Sequence, residues 1–551
     1  MKKRLWVAFV VLMGLVRGAA SAEEAGAPIA VSFDTAHGFA FPAGILGVQE
    51  EVFTIPYLRN DHMEDYRRLG LTAFRYPCGT PSDWLAWDDI ENGYWPSDFE
   101  KNRTKTRPDD FVAFCKALGY EPIITVNSNL AGVHDERNRI NPTRVESIRM
   151  GADYAARWVE HANVKNKSGV KYWEIGNEVW IWLKESEYPV YVREYASAMR
   201  KVDPGIKIIA CGLAVDSEFN PVWLNFPDDP EWEPRSVNRT NAEKWTRALL
   251  KDAHGSFDYL APHIYLDGDG VDAVENGVSL FANIECGEQL LRQQIAWIRE
   301  ANSPVRLACT EWMINWHYVP DMKGIFLENK SISKAHFDQL GYENSPTHAF
   351  VSLLGCADYL GKMLATGYVD IAVVHTLTFG IGVAWNAEAQ KSVVPVVPKP
   401  GGAAVEFWSA AKGHRVVPVR LAHVPTYTHR ATYQGRDVVV PYVTAYATAT
   451  DRAVNLVLVN RSPDRTFTVA VPTAIDGRRV VKAVEHAIEA DSWAANIWPT
   501  VTDGKPYPFR KAQRALDVET LNAYQAKPCR LVRVELELAS PATPAGEPEV
   551  E

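Results

Sequence analysis

Eight short apolar runs, with stretches of helical periodicity between them, fill this chain from about residue 44 to 378, and that alternation leaves few folds open. The runs are 44–48, 72–76, 122–126, 171–175, 206–211, 257–265, 305–310 and 370–376. Between them the apolar spacing predicts helices over 63–69, 109–118, 144–162, 190–202, 242–253, 288–301 and 347–366. A strand that returns parallel to its predecessor needs a crossover, and a helix supplies it while covering the apolar face of the sheet. Eight such units predict an α/β fold, a closed (β/α)8 TIM barrel. The competitor is an open doubly wound sheet. A glycine-rich phosphate loop after the first strand would mark it, and neither G-x-G-x-x-G nor a Walker A sequence occurs.

The pattern changes near residue 401. Segments 437–444, 453–460, 465–471, 480–486 and 530–538 alternate with period two between turn residues, which predicts a C-terminal antiparallel β-sandwich. The Pro/Gly-rich stretch 394–402 reads as the boundary. The expected division is a barrel over 23–400, a sandwich over 401–539 and a disordered tail over 540–551. Residues 29–34 are a candidate further strand of the sandwich.

Residues 1–22 read as an export signal. Lys2, Lys3 and Arg4 precede an apolar run from Leu5 to Val16, and Ala20-Ser21-Ala22 is an A-x-A cleavage pattern. That run is shorter than the roughly 20 residues a membrane crossing needs, and no later stretch is long and apolar enough. No cysteine follows the cleavage pattern, so a lipoprotein anchor is not indicated. The expectation is a mature chain beginning near Glu23, in the periplasm or secreted, with no membrane partner. The seven cysteines include no C-x-x-C pair, and Cys211 and Cys309 lie inside apolar runs. Most are expected buried and reduced.

Charge narrows the partners. The formal net charge is −10, and the first 22 residues hold four cations and no acid, leaving −14 for the rest. That charge argues against a nucleic-acid partner, and none is expected. The chain also carries 18 Trp, 22 Tyr and 20 Phe, enough to build flat platforms for sugar rings or simply a large core.

On a barrel, chemistry belongs where strands end and the following loops begin. Two expected strands run out into glutamates: Trp173-Glu174-Ile175-Gly176-Asn177-Glu178 at the fourth and Cys309-Thr310-Glu311-Trp312 at the seventh. Both ends face one bowl, so Glu178 and Glu311 can flank a single bond, as glycoside hydrolysis requires. Glu174 lies deeper along the same strand and is expected to be a buried, paired carboxylate.

These segments resemble clan A glycoside hydrolases, and most closely the family 51 α-L-arabinofuranosidases and family 39 β-xylosidases. The Asn177-Glu178 pair resembles that clan's fourth-strand acid/base end, and Thr310-Glu311-Trp312 its seventh-strand nucleophile. Phe74-Arg75-Tyr76-Pro77-Cys78-Gly79 resembles the second-strand arginine segment, with Cys78 where a second glycine is usual. His263-Ile264-Tyr265 resembles the sixth-strand His-x-Tyr. The resemblance implies an enzyme, an O-glycosyl hydrolase of retaining mechanism, with carboxyl groups about 5–5.5 Å apart. It makes Glu178 the acid/base and Glu311 the nucleophile, held ionised by Arg75 and Tyr265, and it puts Asn177 on the sugar 2-hydroxyl. For His263 a buried, satisfied imidazole and a substrate contact stand level.

Substrate contacts are further expected from Asn127 in Thr125-Val126-Asn127-Ser128-Asn129, and from Trp180, Trp312 and Trp385 as platforms. Trp84, Trp87 and Trp95 crowd the second-strand loop, and the long loop from Trp312 to Pro346 carries Trp316, His317 and Tyr318. No cofactor or metal is expected. Segment 267–272 resembles a calcium loop but lacks the closing Glu and reads as an acidic turn. No G-x-S-x-G elbow and no H-E-x-x-H occurs. The expected partner is a plant- or algal-type polysaccharide or oligosaccharide. The rival readings are an endo-acting hydrolase of the same clan, a transglycosylase, and a non-catalytic carbohydrate-binding scaffold.

Overall fold

The computed structural model describes residues 27–49, 60–77, 79–90, 106–129, 145–214, 240–269, 272–315, 345–386, 391–433 and 435–540. The expected leader, Cys78, Trp95, most of the loop from Trp316 onward, and residues 541–551 lie outside them.

Eight parallel strands close into a barrel: Gly44–Gln49, Ala73–Tyr76, Glu121–Val126, Tyr172–Ile175, Lys207–Gly212, Tyr259–Leu266, Arg306–Ile314 and Val369–His375, the eighth pairing with the first. Helices ring it at Asn60–Arg68, Pro108–Leu118, Val145–Val159, Tyr188–Val202, Ala242–Asp252, Ala273–Glu300, Phe350–Ala365 and Pro400–Ser409. Two depart from expectation. The sixth begins at Ala273, far before residue 288, because its first half hides polar and small residues. A Cβ on Gly277 would meet the Trp493 ring at 2.4 Å, and one on Gly287 would meet Leu266 at 2.8 Å. The eighth, Pro400–Ser409, belongs to the barrel although the sandwich was expected from 401. Pro400 starts it, and Gly401 and Gly402 sit against the carbonyls of Gly380 and Ile381, where a Cβ would clash.

Inside the barrel, Ala73, Ile123, Ile209, Ala261, Ala308, Ile371 and Val373 form an apolar floor with Tyr172 and Tyr259 packed against it. One step further along the strands, Arg75, Thr125, Glu174 and Thr310 replace that floor with a buried polar layer. The site stands on that layer.

The sandwich has two sheets over a separate core that includes Val454, Leu456, Phe467, Val469 and Val534. One orders Val419–Ala422, Ile29–Phe33, Phe467–Ala470 and Tyr524–Ala526; the other is built around Val443–Ala449, Ala453–Asn460, Arg530–Leu538 and Arg478–Glu489. Strand Ile29–Phe33 runs antiparallel to Val419–Ala422 but parallel to Phe467–Ala470. The six described cysteines are buried, with no disulfide among them.

Candidate active site

Two backbone irregularities aim the glutamates. In the seventh strand, Leu307 pairs with Leu260 but Glu311 pairs with His263, so the strand carries one extra residue between them. Its other neighbour gives the same count, with Ala372 against Cys309 and Val374 against Trp312. This is a β-bulge, and it turns two successive side chains, Thr310 and Glu311, into the lumen. Without it, alternation would send Glu311 outward with Cys309. At the fourth strand, Gly176 (φ 74°) turns the chain where a Cβ would strike Val179 and Ser128. Glu178 then adopts a left-handed φ of 48°, uncommon outside glycine and frequent where function holds strain. The buried carboxylate of Asp83 secures the turn: it accepts from the Asn177 backbone at 3.1 Å and from Ser128.

Arg75 is the hub. Fully buried, it donates from Nε to Glu174 at 2.5 Å, from Nη1 to Gln49 at 2.6 Å and Glu311 at 3.2 Å, and from Nη2 to Asn177 Oδ1 at 2.8 Å. Glu174 also accepts from Thr125 and Thr310, so it is the paired, buried carboxylate expected. Glu311 is 6 % exposed and accepts a short hydrogen bond from the Tyr265 hydroxyl. Burial alone would raise its pKa. His263, His375, Arg75 and Tyr265 outweigh that and hold it down at about 2. Glu178, its side chain 21 % exposed, meets His263 Nδ1 at 3.0 Å. His263 lies 3.8 Å from Glu311 as well; burial pushes its pKa down, but the two carboxylates carry it above the usual imidazole value.

Donor atoms of Glu178, His263 and Glu311 all lie within 4.8 Å of one another. With Arg75 and Tyr265 already on Glu311, that cluster suits proton transfer and nucleophilic attack better than a cation.

The expected substrate residues divide. Arg75, Asn177, His263 and Tyr265 converge on the glutamates, and Trp180 is half-buried in the short helical turn Val179–Ile181 beside Glu178. Asn127 is spent within the protein: its amide donates to Leu85 and its oxygen accepts from the Asn129 backbone. Trp312 is no platform. It is wholly buried on the outer side of the bulge against Tyr359. Trp84 is a core residue too, against Trp182, and the half-buried Trp87 packs on the core through Trp158. Trp385 belongs to strand Gly382–Asn386. Asp272, in the calcium-like segment, caps helix Ala273–Glu300.

Sequence reading missed Gln49 and His375. Arg75 takes the Gln49 oxygen, so the Gln49 NH2 faces His375 Nδ1, and burial holds that imidazole at about 4. Their only signal was position, at the ends of the first and eighth strands.

A family model described as the alpha-L-arabinofuranosidase 1 domain matches residues 89–249. The intracellular exo-alpha-(1->5)-L-arabinofuranosidase of Streptomyces lividans is 25% identical over 475 residues, 79% of this chain and 62% of that protein. Alpha-L-arabinofuranosidase C of Emericella nidulans is 31% identical over 221 residues, 36% of this chain and 41% of that one. The chain thus spans about three fifths of the first relative's length and less of the second. The solved family 51 arabinofuranosidase of Xanthomonas axonopodis pv. citri superposes with a TM-score of 0.67 at 15% identity, covering 92% of this chain and 99% of that one. An arabinose complex of the Thermotoga maritima α-L-arabinofuranosidase gives 0.63 at 18%, covering 93% and 100%. In sequence and in fold, the chain resembles the clan A glycoside hydrolases of family 51.

Proposed function

We propose that the protein is an exported, retaining glycoside hydrolase that releases α-L-arabinofuranosyl groups from plant- or algal-type polysaccharide or oligosaccharide. One observation carries the reading: oxygen atoms of Glu178 and Glu311 lie within 4.8 Å of each other over a buried arginine. That spacing suits double displacement, since an inverting pair stands about 6.5–9.5 Å apart to admit a water.

The roles follow from the surroundings. Glu311, ionised and fixed by Arg75 and Tyr265, attacks the anomeric carbon while Glu178 protonates the leaving oxygen. Glu178 then takes a proton from water, which attacks the same carbon and frees Glu311. Arg75 holds the Asn177 oxygen, which leaves the amide NH2 as the end turned to a ligand hydroxyl. The names of the relatives favour arabinofuranose over xylose.

Glu178→Ala tests the assignment. Hydrolysis of an unactivated arabinofuranoside should fall by about 10³-fold, the scale of lost general acid/base help. With a dinitrophenyl leaving group, azide should restore turnover and give a glycosyl azide of the substrate's own configuration. Wild-type rates in the variant would end the reading. Export has its own check: Edman sequencing of protein expressed from the full chain should start near Glu23, and a retained Met1 would remove the leader.

A further inference from the structure

Glu174 is wholly buried and ion-paired to Arg75 through Nε, and its other oxygen accepts from Thr310. Thr310 Oγ1 lies 2.6 Å from Glu174 Oε1, and the threonine hydrogen must occupy that line. The lone pairs left on Oγ1 face His263 Nε2 at 3.2 Å. Two acceptors cannot bond, so Nε2 carries a hydrogen. A neutral imidazole protonated there presents a bare Nδ1 to Glu178 Oε1, 3.0 Å away. A bond across that gap needs one more proton, on the carboxyl or on the ring.

We propose that Thr310, anchored by Glu174, is a positioning residue that locks His263 in its Nε2–H form, so that Glu178 and His263 Nδ1 share the single proton the reaction delivers. This rests on Glu178 as the acid/base and adds where its proton is kept.

The groups facing His263 support the sharing. Glu178 stands on the fourth-strand turn and Glu311 on the seventh strand; Arg75 and His375 approach from the second and eighth, and Tyr265 follows on its own strand. Two carboxylates beside one ring favour keeping the proton between them. The lock sharpens that preference. When the pair loses its proton, a locked ring turns a lone pair toward an ionised carboxylate and has no hydrogen to offer. A ring free to change tautomer would donate Nδ1–H to Glu178 and stabilise the deprotonated pair. Thr310 therefore disfavours the proton-free pair. The proton balance closes over a turnover. As Glu311 bonds to the anomeric carbon and the glycosidic bond breaks, the leaving oxygen takes the pair's proton. As water bonds to that carbon and the bond to Glu311 breaks, the water's proton returns to the pair.

The test compares Thr310→Val and Thr310→Ser on two aryl α-L-arabinofuranosides. On the phenyl glycoside, which needs the acid, Thr310→Val should move the basic limb of kcat/KM down by about one pH unit, and Thr310→Ser should keep the wild-type limb. On the dinitrophenyl glycoside, whose leaving group departs unprotonated, Thr310→Val should retain most of its rate. An unmoved limb with equal loss on both substrates would reduce Thr310 to a packing residue and overturn the proposal. Nitrogen-15 NMR of wild-type imidazoles gives a reading independent of any variant's folding. Above the basic limb, His263 should carry its hydrogen on Nε2, and a hydrogen on Nδ1 would overturn the lock. A wild type inactive on every arabinofuranoside would fault the hydrolase reading, with the NMR result still deciding the tautomer.

Discussion

Glu311→Ala is expected to lower kcat on an aryl α-L-arabinofuranoside by about 10⁵-fold, the order reached when a covalent nucleophile is removed. That corresponds to roughly 7 kcal/mol of barrier. Among the described residues, neither neighbouring glutamate can stand in: Glu174 is committed to Arg75, Thr125 and Thr310, and Glu178 serves the leaving group in the proposed mechanism. The fold should survive, because Arg75 keeps Glu174, Gln49 and Asn177 after the carboxylate is gone. Azide sharpens the result. It can enter the space vacated by the Glu311 carboxylate and attack from the nucleophile's face, so the product should be a glycosyl azide of inverted configuration. The Glu178→Ala variant should give the retained one, and that opposition separates the two roles. A loss under a hundredfold, or a retained product from Glu311→Ala, would move the nucleophile elsewhere.

The barrel was legible because its strands are buried on both faces and so read as apolar runs, while its helices keep a solvent side. Glu178 and Glu311 were legible as strand-end acids, but the means of aiming them was not. Alternation along 307–311 puts Glu311 on the outer face, and only a bulge, which leaves no mark in composition, turns it inward. The same extra residue sends Trp312 outward into the helical shell, which is why an aromatic beside Glu311 proved to be core. For Trp84 and Trp87 the sequence leaves both uses open, because an indole suits a sugar face and a packed interior equally. The early start of helix Ala273–Glu300 was hidden because Asn276, Gly277, Asn283 and Gly287 resemble a loop until close packing explains them. Gln49 and His375 carried no local motif. Their role exists only after the barrel closes and sets the first strand beside the eighth.

Arg461→Met is expected to cost about 3–5 kcal/mol of stability, the usual penalty for stranding buried charges. Arg461 is wholly buried in the turn after strand Ala453–Asn460 of the sandwich, yet its ionic partners belong to the barrel. Its guanidinium grips Asp358 on helix Phe350–Ala365 through Nε and Nη2 and reaches Glu285 on helix Ala273–Glu300 at 2.5 Å. Thr444 and Tyr446 add hydroxyl donors to Asp358, and the Tyr446 ring lies where a Cβ on Gly361 would intrude. Methionine approximates the stem and supplies no charge, so Asp358 would keep only neutral donors. Glu285 would keep Lys362. Burial raises the pKa of Glu285, but Arg461 and Lys362 more than reverse this and hold it below the ordinary value. A carboxylate depressed on folding contributes stability above its unfolded pKa of about 4.3, and that contribution fades as pH falls toward the folded value. Losing Arg461 removes part of this depression, so the deficit of the variant should be largest near pH 7 and shrink below about pH 4. Urea unfolding at the two pH values measures both effects. Changing Asp358 to Asn in the Arg461→Met background should recover part of the loss by removing the stranded charge. A deficit under about 1 kcal/mol, or one that grows in acid, would mean that apolar packing between barrel and sandwich sets their docking, with the ion cluster a bystander.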